Sequence, residues 1–399
     1  MENISNNTSN SAQFFLIAIV VFLGLMAMGM PLGSVPAFVN AKLGYGMTIV
    51  GLVMGVESAA TLLTRHFAGV TADRRGPKIA VLIGLTGSFS SGVFYLMGSG
   101  FTAAPLASLG LIVLGRIAMG FAQGLLFTGG STWPIGLFGA EHAGKALSWI
   151  GIAMFGGISA GAALAAALNE AFGFRVVAVA TAAIPLLGFL IALGLRNARL
   201  AAAEGPKGST RQIVTKIWRP GLVFALATVG YVTVTSFVTL AYMEKGWANA
   251  EYALSAFGIG YVGARLLLGA SADRSNTASM AVWMLSIEAI GQLLIWQSAS
   301  PVMSIAGAAL SGFGVSMIYP LLALVAVRDI PHHQFGLAIG FYDACFDIAI
   351  GLSAPVAGVI AKLTDTSAVF VLGLVCSLSA IAMSINVYRG AAALRRATD

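Results

Sequence analysis

Charged residues are scarce in this chain. Asp, Glu, Lys and Arg make up only 9% of its 399 residues, whereas soluble domains carry about 25%. Because 58% of the residues are hydrophobic, the composition excludes a soluble globular domain and predicts an integral membrane protein. The net charge of +7 at pH 7 is therefore interpreted through membrane topology, and we expect no nucleic-acid partner.

Cysteine is also rare, and motifs for bound cofactors are missing. Cys345 and Cys376 fall inside apolar stretches, where a thiol most often packs as a small residue, so we expect neither a disulfide nor a metal site. The sequence has no phosphate-binding loop, nucleophile elbow, zinc spacing or dinucleotide fingerprint. We therefore predict a protein that is not an enzyme and has neither catalytic residues nor cofactors. Because a phosphate-binding loop is missing, we expect a proton gradient rather than ATP as its source of energy.

Long apolar runs, in contrast, are abundant. A helix needs about 20 apolar residues to cross a bilayer, so we predict an all-α membrane protein with twelve transmembrane helices. The spans are 13 to 39, 47 to 71, 78 to 99, 104 to 136, 146 to 168, 173 to 195, 219 to 243, 251 to 271, 278 to 298, 301 to 327, 335 to 361 and 367 to 388. Basic residues are concentrated at one side of these spans, which predicts cytoplasmic termini by the positive-inside rule.

A polar and basic segment interrupts the chain near its middle. Residues 196 to 218 lie between spans six and seven and contain Gly205 and Pro206, a composition typical of a linker. We therefore predict an N-terminal six-helix bundle over 1 to 195 and a C-terminal six-helix bundle over 219 to 399.

A short motif occurs once in each half. RHFAGVTADR at 65 to 74 returns as RLLLGASADR at 265 to 274, at a constant offset of 200 residues. A match in the second helix of each half is typical of duplicated, pseudo-symmetric bundles.

GVTADRRGPK, at residues 69 to 78, resembles the loop signature of the major facilitator superfamily, G-x-x-x-D-R-x-G-[RK]-[RK], with Pro77 in place of a basic residue. With twelve spans and a basic central loop, the resemblance covers the whole chain and implies the major facilitator fold. MPLGSVPAF and FDIAIG also resemble bacterial inner-membrane permeases of the YhhS type, which are sugar-efflux or drug-efflux-like. We accordingly expect a monomer in the bacterial inner membrane that binds lipid, protons and a small-molecule substrate.

The resemblance also implies a gating motif. In the family, the residue at the position of Asp73 meets the start of span eleven, here around 335 to 337. We predict that Asp73 is a latch and that Arg74 pairs with Glu141, although a plain turn that fixes topology is the alternative. The residues that we assign to gating are Gly69, Asp73, Arg74, Gly76, Lys78, Glu141, Gly269, Asp273 and Arg274.

Ionisable residues inside spans are costly unless they are paired or face water, so each is a functional candidate. Asp343 and Asp347 in span eleven share a helix face, with their Cβ atoms about 6 Å apart, and two carboxylates so close cannot both ionise easily. We predict proton coupling through Asp347, Asp343 and Glu57. The alternative for Asp347 is a protonated residue that hydrogen-bonds a neighbouring helix. We expect Glu288 in span nine to pair locally or lie near an interface.

Arg116 in span four keeps its proton at any relevant pH, so it can hold a carboxylate but cannot carry protons. We predict that it is coupled to Glu57, directly or through water; alternatively, it bonds backbone carbonyls of span one and Glu57 is protonated separately. In the architecture that the resemblance implies, spans one, four, seven and ten line the cavity. The residues that we assign to substrate binding are Arg116, Gln123, Trp133, Tyr231 and Tyr319.

These features together predict a secondary transporter that alternates access around a midplane site. The leading interpretation is proton-coupled export of a small organic solute by antiport. Span five weakens export, because Ala162 follows Gly161 where exporters of the family usually have a proline. The alternatives are a proton symporter that takes up an organic anion attracted to Arg116, a lipid flippase, and a non-transporting membrane sensor.

Overall fold

The long apolar runs form α-helices, since a chain in lipid has to satisfy its backbone polar groups internally. The computed structural model describes residues 2–139, 143–198, 210–269, 277–328, 330–331 and 334–396. Its α-helices are α1 (Glu2–Gly29), α2 (Pro31–Ala37), α3 (Met47–Arg75), α4 (Pro77–Gly100), α5 (Pro105–Phe138), α6 (Ala143–Phe172), α7 (Phe174–Leu193), α8 (Thr210–Glu244), α9 (Glu251–Leu268), α10 (Thr277–Trp296), α11 (Pro301–Ser316), α12 (Ile318–Val327), α13 (Phe335–Leu363) and α14 (Val369–Arg396).

Each predicted span contains one or more of these helices, and in the described part of the chain ten segments are long and apolar enough to cross a membrane. Two spans are interrupted. Span one divides into α1, α2 and a π-helical turn at Phe38–Lys42, and span ten divides into α11 and α12 at Met317. Both breaks lie beside prolines, Pro31 and Pro320, whose missing N–H groups remove helical hydrogen bonds.

Many large apolar side chains are exposed. Leu63 is 82% exposed, Leu106 78% and Leu267 74%. Exposed leucines on three different helices would favour aggregation in water, but they are the expected surface of a protein surrounded by lipid.

The helices cluster in two compact units. The first consists of Met1–Ala140, Trp149–Gly205 and Pro331–Gly340, and the second of Glu141–Ser148, Pro206–Ile330 and Phe341–Asp399. Each unit thus contains one short segment from the opposite half of the chain. The domain boundaries at 195 and 219 stay a prediction, and α8 already begins at Thr210, within the predicted linker.

Packing inside the two units follows one pattern. In the first unit α5 packs on α3 and α4, and α4 also packs on α7; in the second, α11 packs on α9 and α10, and α10 also packs on α14. A Cβ atom on Gly120 of α5 would collide with the carbonyl of Glu57, and one on Gly312 of α11 would collide with the carbonyl of Phe257. The same close contact therefore recurs 200 residues later for α3 and α9.

One interface of this pattern differs in the size of its residues. In the first unit Gly92 of α4 lies directly on the backbone of Ala182 in α7. In the second unit Gln292 of α10 lies on Gly373 of α14, where an added Cβ would be 2.5 Å from the Gln292 Oε1 atom. A large residue on one helix is thus accommodated by a glycine on the other.

Candidate transport site

An ion pair is buried between α3 and α5. Arg116 Nη1 lies 2.5 Å from Glu57 Oε2, and the two side chains are 3% and 4% exposed. Arg116 Nη2 also donates a hydrogen bond to the Met54 carbonyl over 3.2 Å. The direct contact with Glu57 is the first of the two interpretations of Arg116, and its backbone partner, Met54, lies in span two rather than in span one.

The polar contact continues one turn along the same interface. The Thr61 hydroxyl lies 2.9 Å from Gln123 Oε1 and 3.1 Å from the Gly120 carbonyl. Gln123 was assigned to substrate binding from the sequence, whereas Thr61 was missed. The signal was available, because Thr61 lies four residues after Glu57 on the same face of α3 and Gln123 lies two turns after Arg116 on α5.

Asp73 caps the start of α13. Its Oδ1 accepts a hydrogen bond from the Gly336 N–H over 2.6 Å, and its Oδ2 accepts one from the Leu337 N–H over 2.9 Å. Such N–H groups of a first turn have no partner within their own helix. Gly69, one turn before Asp73, allows the close approach, since an added Cβ would lie 2.6 Å from the Leu337 Cα. The contact is at the helix start expected for the latch, whose gating role stays a prediction.

Asp73 lies beyond the end of predicted span two, and its environment perturbs its protonation. Burial raises the pKa of its carboxyl from 3.8 to about 7, although the hydrogen bonds from Leu337 and Gly336 act to lower it. Desolvation disfavours the charged form, while N–H donors favour it. The carboxyl is therefore expected to gain or lose its proton near neutral pH.

Other residues of the motif hold the turn between α3 and α4. Gly76 has φ of +93°, a conformation that residues with a Cβ rarely adopt. The Lys78 ammonium donates to the carbonyls of Leu193 over 2.9 Å and Leu195 over 2.6 Å, and a cation at the C-terminal end of α7 is electrostatically favourable. Arg74 is exposed. Glu141, Asp273 and Arg274 lie outside the described residues, and with them the predicted pair of Arg74 and Glu141.

The second copy of the motif contacts a helix start by different chemistry. Gly269 lies against Ser148 near the beginning of α6, where an added Cβ would be 3.2 Å from the Ser148 Cβ. Arg265, only 2% exposed, donates to the carbonyls of Leu147 over 3.3 Å and Ser148 over 2.9 Å. A carboxylate thus accepts from amides at α13, whereas a guanidinium donates to carbonyls at α6.

Two of the residues assigned to substrate, Tyr231 and Tyr319, belong to an aromatic cluster in the second unit. Ring centroids within it are 4.8 to 6.4 Å apart, the spacing at which aromatic pairs are attractive. Its members, here called the aromatic cluster, are Phe224, Tyr231, Phe257, Tyr319, Tyr342 and Phe346. The sequence reasoning missed four of them.

The two carboxylates of α13 directly follow two members of this cluster. Asp343 comes after Tyr342 and is 1% exposed, while Asp347 comes after Phe346 and is half-buried. Their spacing of four residues places them on one face of α13. Their role as proton carriers stays a prediction.

Trp133, also assigned to substrate, lies within the core of the first unit. Its side chain is fully buried, and its indole N–H donates to the Arg196 carbonyl over 3.0 Å. This bond ties α5 to the segment that follows α7. The geometry therefore gives Trp133 a structural task, and its contact with substrate stays a prediction.

A family model matches most of the chain. The model of the Major Facilitator Superfamily matches residues 17–254 and 244–395. The chain belongs to the major facilitator superfamily. An uncharacterized MFS-type transporter of Pseudomonas aeruginosa (strain UCBPP-PA14) is 36% identical over 377 residues, which cover 94% of this chain and 93% of the relative. One of Burkholderia mallei (strain SAVP1) is 32% identical over 386 residues, which cover 97% and 94%.

Solved structures of the superfamily share the fold. The proton:xylose symporter XylE superposes with a TM-score of 0.78 at 15% identity, covering 94% of this chain and 96% of XylE. The human organic anion transporter MFSD10 superposes with a TM-score of 0.76 at 16% identity, covering 94% and 99%. The chain is therefore a major facilitator transporter with an alternating-access fold, and its family consists of transporters rather than enzymes. The closer resemblance to YhhS-type permeases stays a prediction.

Proposed function

We propose that this major facilitator protein exports a small, amphipathic organic solute with a positive charge in exchange for protons. The observation that carries the proposal is Asp347, a half-buried carboxylate on α13, the same helix that contributes Tyr342 and Phe346 to the aromatic cluster. A carboxylate binds either a proton or a cation, and aromatic faces attract cations. Competition of the two for one carboxylate is the requirement for antiport.

A second candidate function is proton symport of an organic anion, and the Glu57–Arg116 pair favours it. As long as Glu57 is ionised, its carboxylate occupies Arg116 at 2.5 Å. A proton on Glu57 removes that competitor and leaves a guanidinium that binds a carboxylate or phosphate well. Proton and anion then bind together rather than in exchange.

Membrane orientation completes the proposal. From the basic central loop and the basic C-terminal segment we infer that both ends of the chain lie in the cytoplasm of a bacterial cell, with the protein in the inner membrane. The transporter acts as a monomer without a cofactor, and the proton gradient drives its cycle.

The test uses purified protein in liposomes that contain a fluorescent pH probe. Organic cations, organic acids and sugars are added to one side in turn. Proton movement opposite to an organic cation supports export by antiport, movement together with an organic acid supports symport, and no movement with any compound refutes proton coupling.

Matched variants assign the proton movement to residues. Asp347→Asn should abolish antiport and Glu57→Gln should abolish symport. Asp365→Asn is the control, because Asp365 is exposed and its side chain caps a short turn by accepting from the Ala368 N–H, which asparagine also does.

A further inference from the structure

Glu288 of α10 is a buried carboxyl for which the proposed transport cycle has no use. It is 0% exposed, and neither of its carboxyl oxygens has a hydrogen-bond partner among the described residues. Glu57 is buried to a similar degree but lies 2.5 Å from Arg116. The expected local pairing of Glu288 is therefore not found within the described part of the chain.

The surroundings of Glu288 leave no space for a counter-charge. An added Cβ on Gly230 of α8 would collide with Glu288 Oε1, and one on Gly314 of α11 would lie 2.5 Å from the Glu288 backbone nitrogen. Glycines thus bring two helices directly onto this residue. The titratable group that faces it from α14 is the Cys376 thiol, and among the described residues no charged side chain of α8, α11 or α12 faces it.

The nearest polar groups are already bound to one another. Gln292, one turn after Glu288 and also 0% exposed, donates to the Gly230 carbonyl over 2.9 Å and to the Ser311 hydroxyl over 3.0 Å. Its own carbonyl accepts from the Thr233 hydroxyl over 3.1 Å. This closed set of bonds satisfies Gln292 and offers no donor to Glu288.

We propose that Glu288 is a proton-binding site in the second unit. Its carboxyl holds a proton at neutral pH and releases it only when α8 and α10 move apart and admit water. An ionised carboxylate is expensive at membrane depth when it has neither a cation nor a donor, so a proton is the ligand that fits this closely packed site. The presence of this proton goes beyond the proposed function and does not depend on it.

Infrared spectroscopy of the protein in lipid nanodiscs tests the proposal without a substrate. At pH 7, far above the value of about 4.3 at which free glutamate titrates, the spectrum should contain the carbonyl band of a protonated carboxylic acid. Carbon-13 labelling of glutamate should shift this band. Glu288→Gln should remove it, whereas Glu57→Gln, a matched change at the other buried glutamate, should leave it in place.

A labelled spectrum at pH 7 without a protonated glutamate band would overturn the inference. If Glu288→Gln does not fold, the labelled Glu57→Gln protein still decides, because a protonated glutamate band in it supports Glu288 and its absence refutes it. The liposome assay separates the two proposals. Proton flux without the band refutes the Glu288 site alone, and the band without flux supports the site while refuting proton-coupled transport.

Discussion

Replacing Arg116 by Met should destabilise the protein through the carboxylate that it leaves behind. In the native pair the two charged atoms are 2.5 Å apart, and both side chains are at most 4% exposed. At an effective dielectric constant of 20, unit charges about 4 Å apart attract by about 4 kcal/mol. Because neither group gains water when its partner is removed, we expect the free energy of unfolding to fall by about 3–5 kcal/mol.

The two single variants should differ in their pH dependence. In Arg116→Met the remaining Glu57 becomes neutral when it binds a proton, so the destabilisation is largest at high pH and shrinks as the pH falls toward the range of free glutamate, about 4.3. In Glu57→Gln the remaining Arg116 keeps its proton, so the destabilisation should not change with pH. The double variant contains neither charge and should recover most of the loss.

Denaturant unfolding in detergent at two pH values, followed by tryptophan fluorescence, measures these effects. Arg175→Met is the control, because Arg175 is exposed and an exposed charge contributes little. If the losses of the two single variants simply add in the double variant, the 2.5 Å contact contributes no coupling energy and the reasoning is refuted.

Three further predictions concern the helix contacts. Asp73→Ala should speed hydrogen exchange at the first amides of α13 roughly fivefold, since the loss of a cap costs about 1 kcal/mol. Because burial raises the pKa of the Asp73 carboxyl from 3.8 to about 7, the capped state binds more protons, and lowering the pH from 7 toward 4 should favour that state in the native protein only. Gly120→Val should lower thermal stability by about 1–3 kcal/mol by overpacking, whereas Gly110→Val on the same helix, with open space around it, should not. Trp133→Phe should lower thermal stability by at least about 1 kcal/mol, because it removes the hydrogen bond to the Arg196 carbonyl and leaves space at a fully buried site.

Helix positions were predictable from the sequence because lipid leaves a spanning chain few alternatives. The ends of the helices were less predictable. Hydropathy marks the apolar part of a helix, and α8 continues back to Thr210 through a polar and basic segment that hydropathy assigns to the linker. The break at Met317 could be suspected from Pro320 but not located.

The candidate site was also predictable only in part. Glu57 and Arg116 stood out because charges inside spans are rare, and their direct contact was one of two open interpretations. The bonds of Arg265 to the carbonyls of Leu147 and Ser148 and the isolation of Glu288 were not predictable. Both depend on the register between helices far apart in the chain, which the sequence of one helix does not contain.

The α4–α7 and α10–α14 interfaces differ in the size of the residues in contact, which limits how the chain can be engineered. The first unit places Gly92 on Ala182, and the second places Gln292 on Gly373. A glutamine at position 92 would collide with the backbone at Ala182, so the first interface cannot accept the larger residue at its present helix separation. Because that collision is with backbone atoms, Ala182→Gly would not relieve it, and grafting the polar residue of the second unit into the first requires α4 and α7 to move apart.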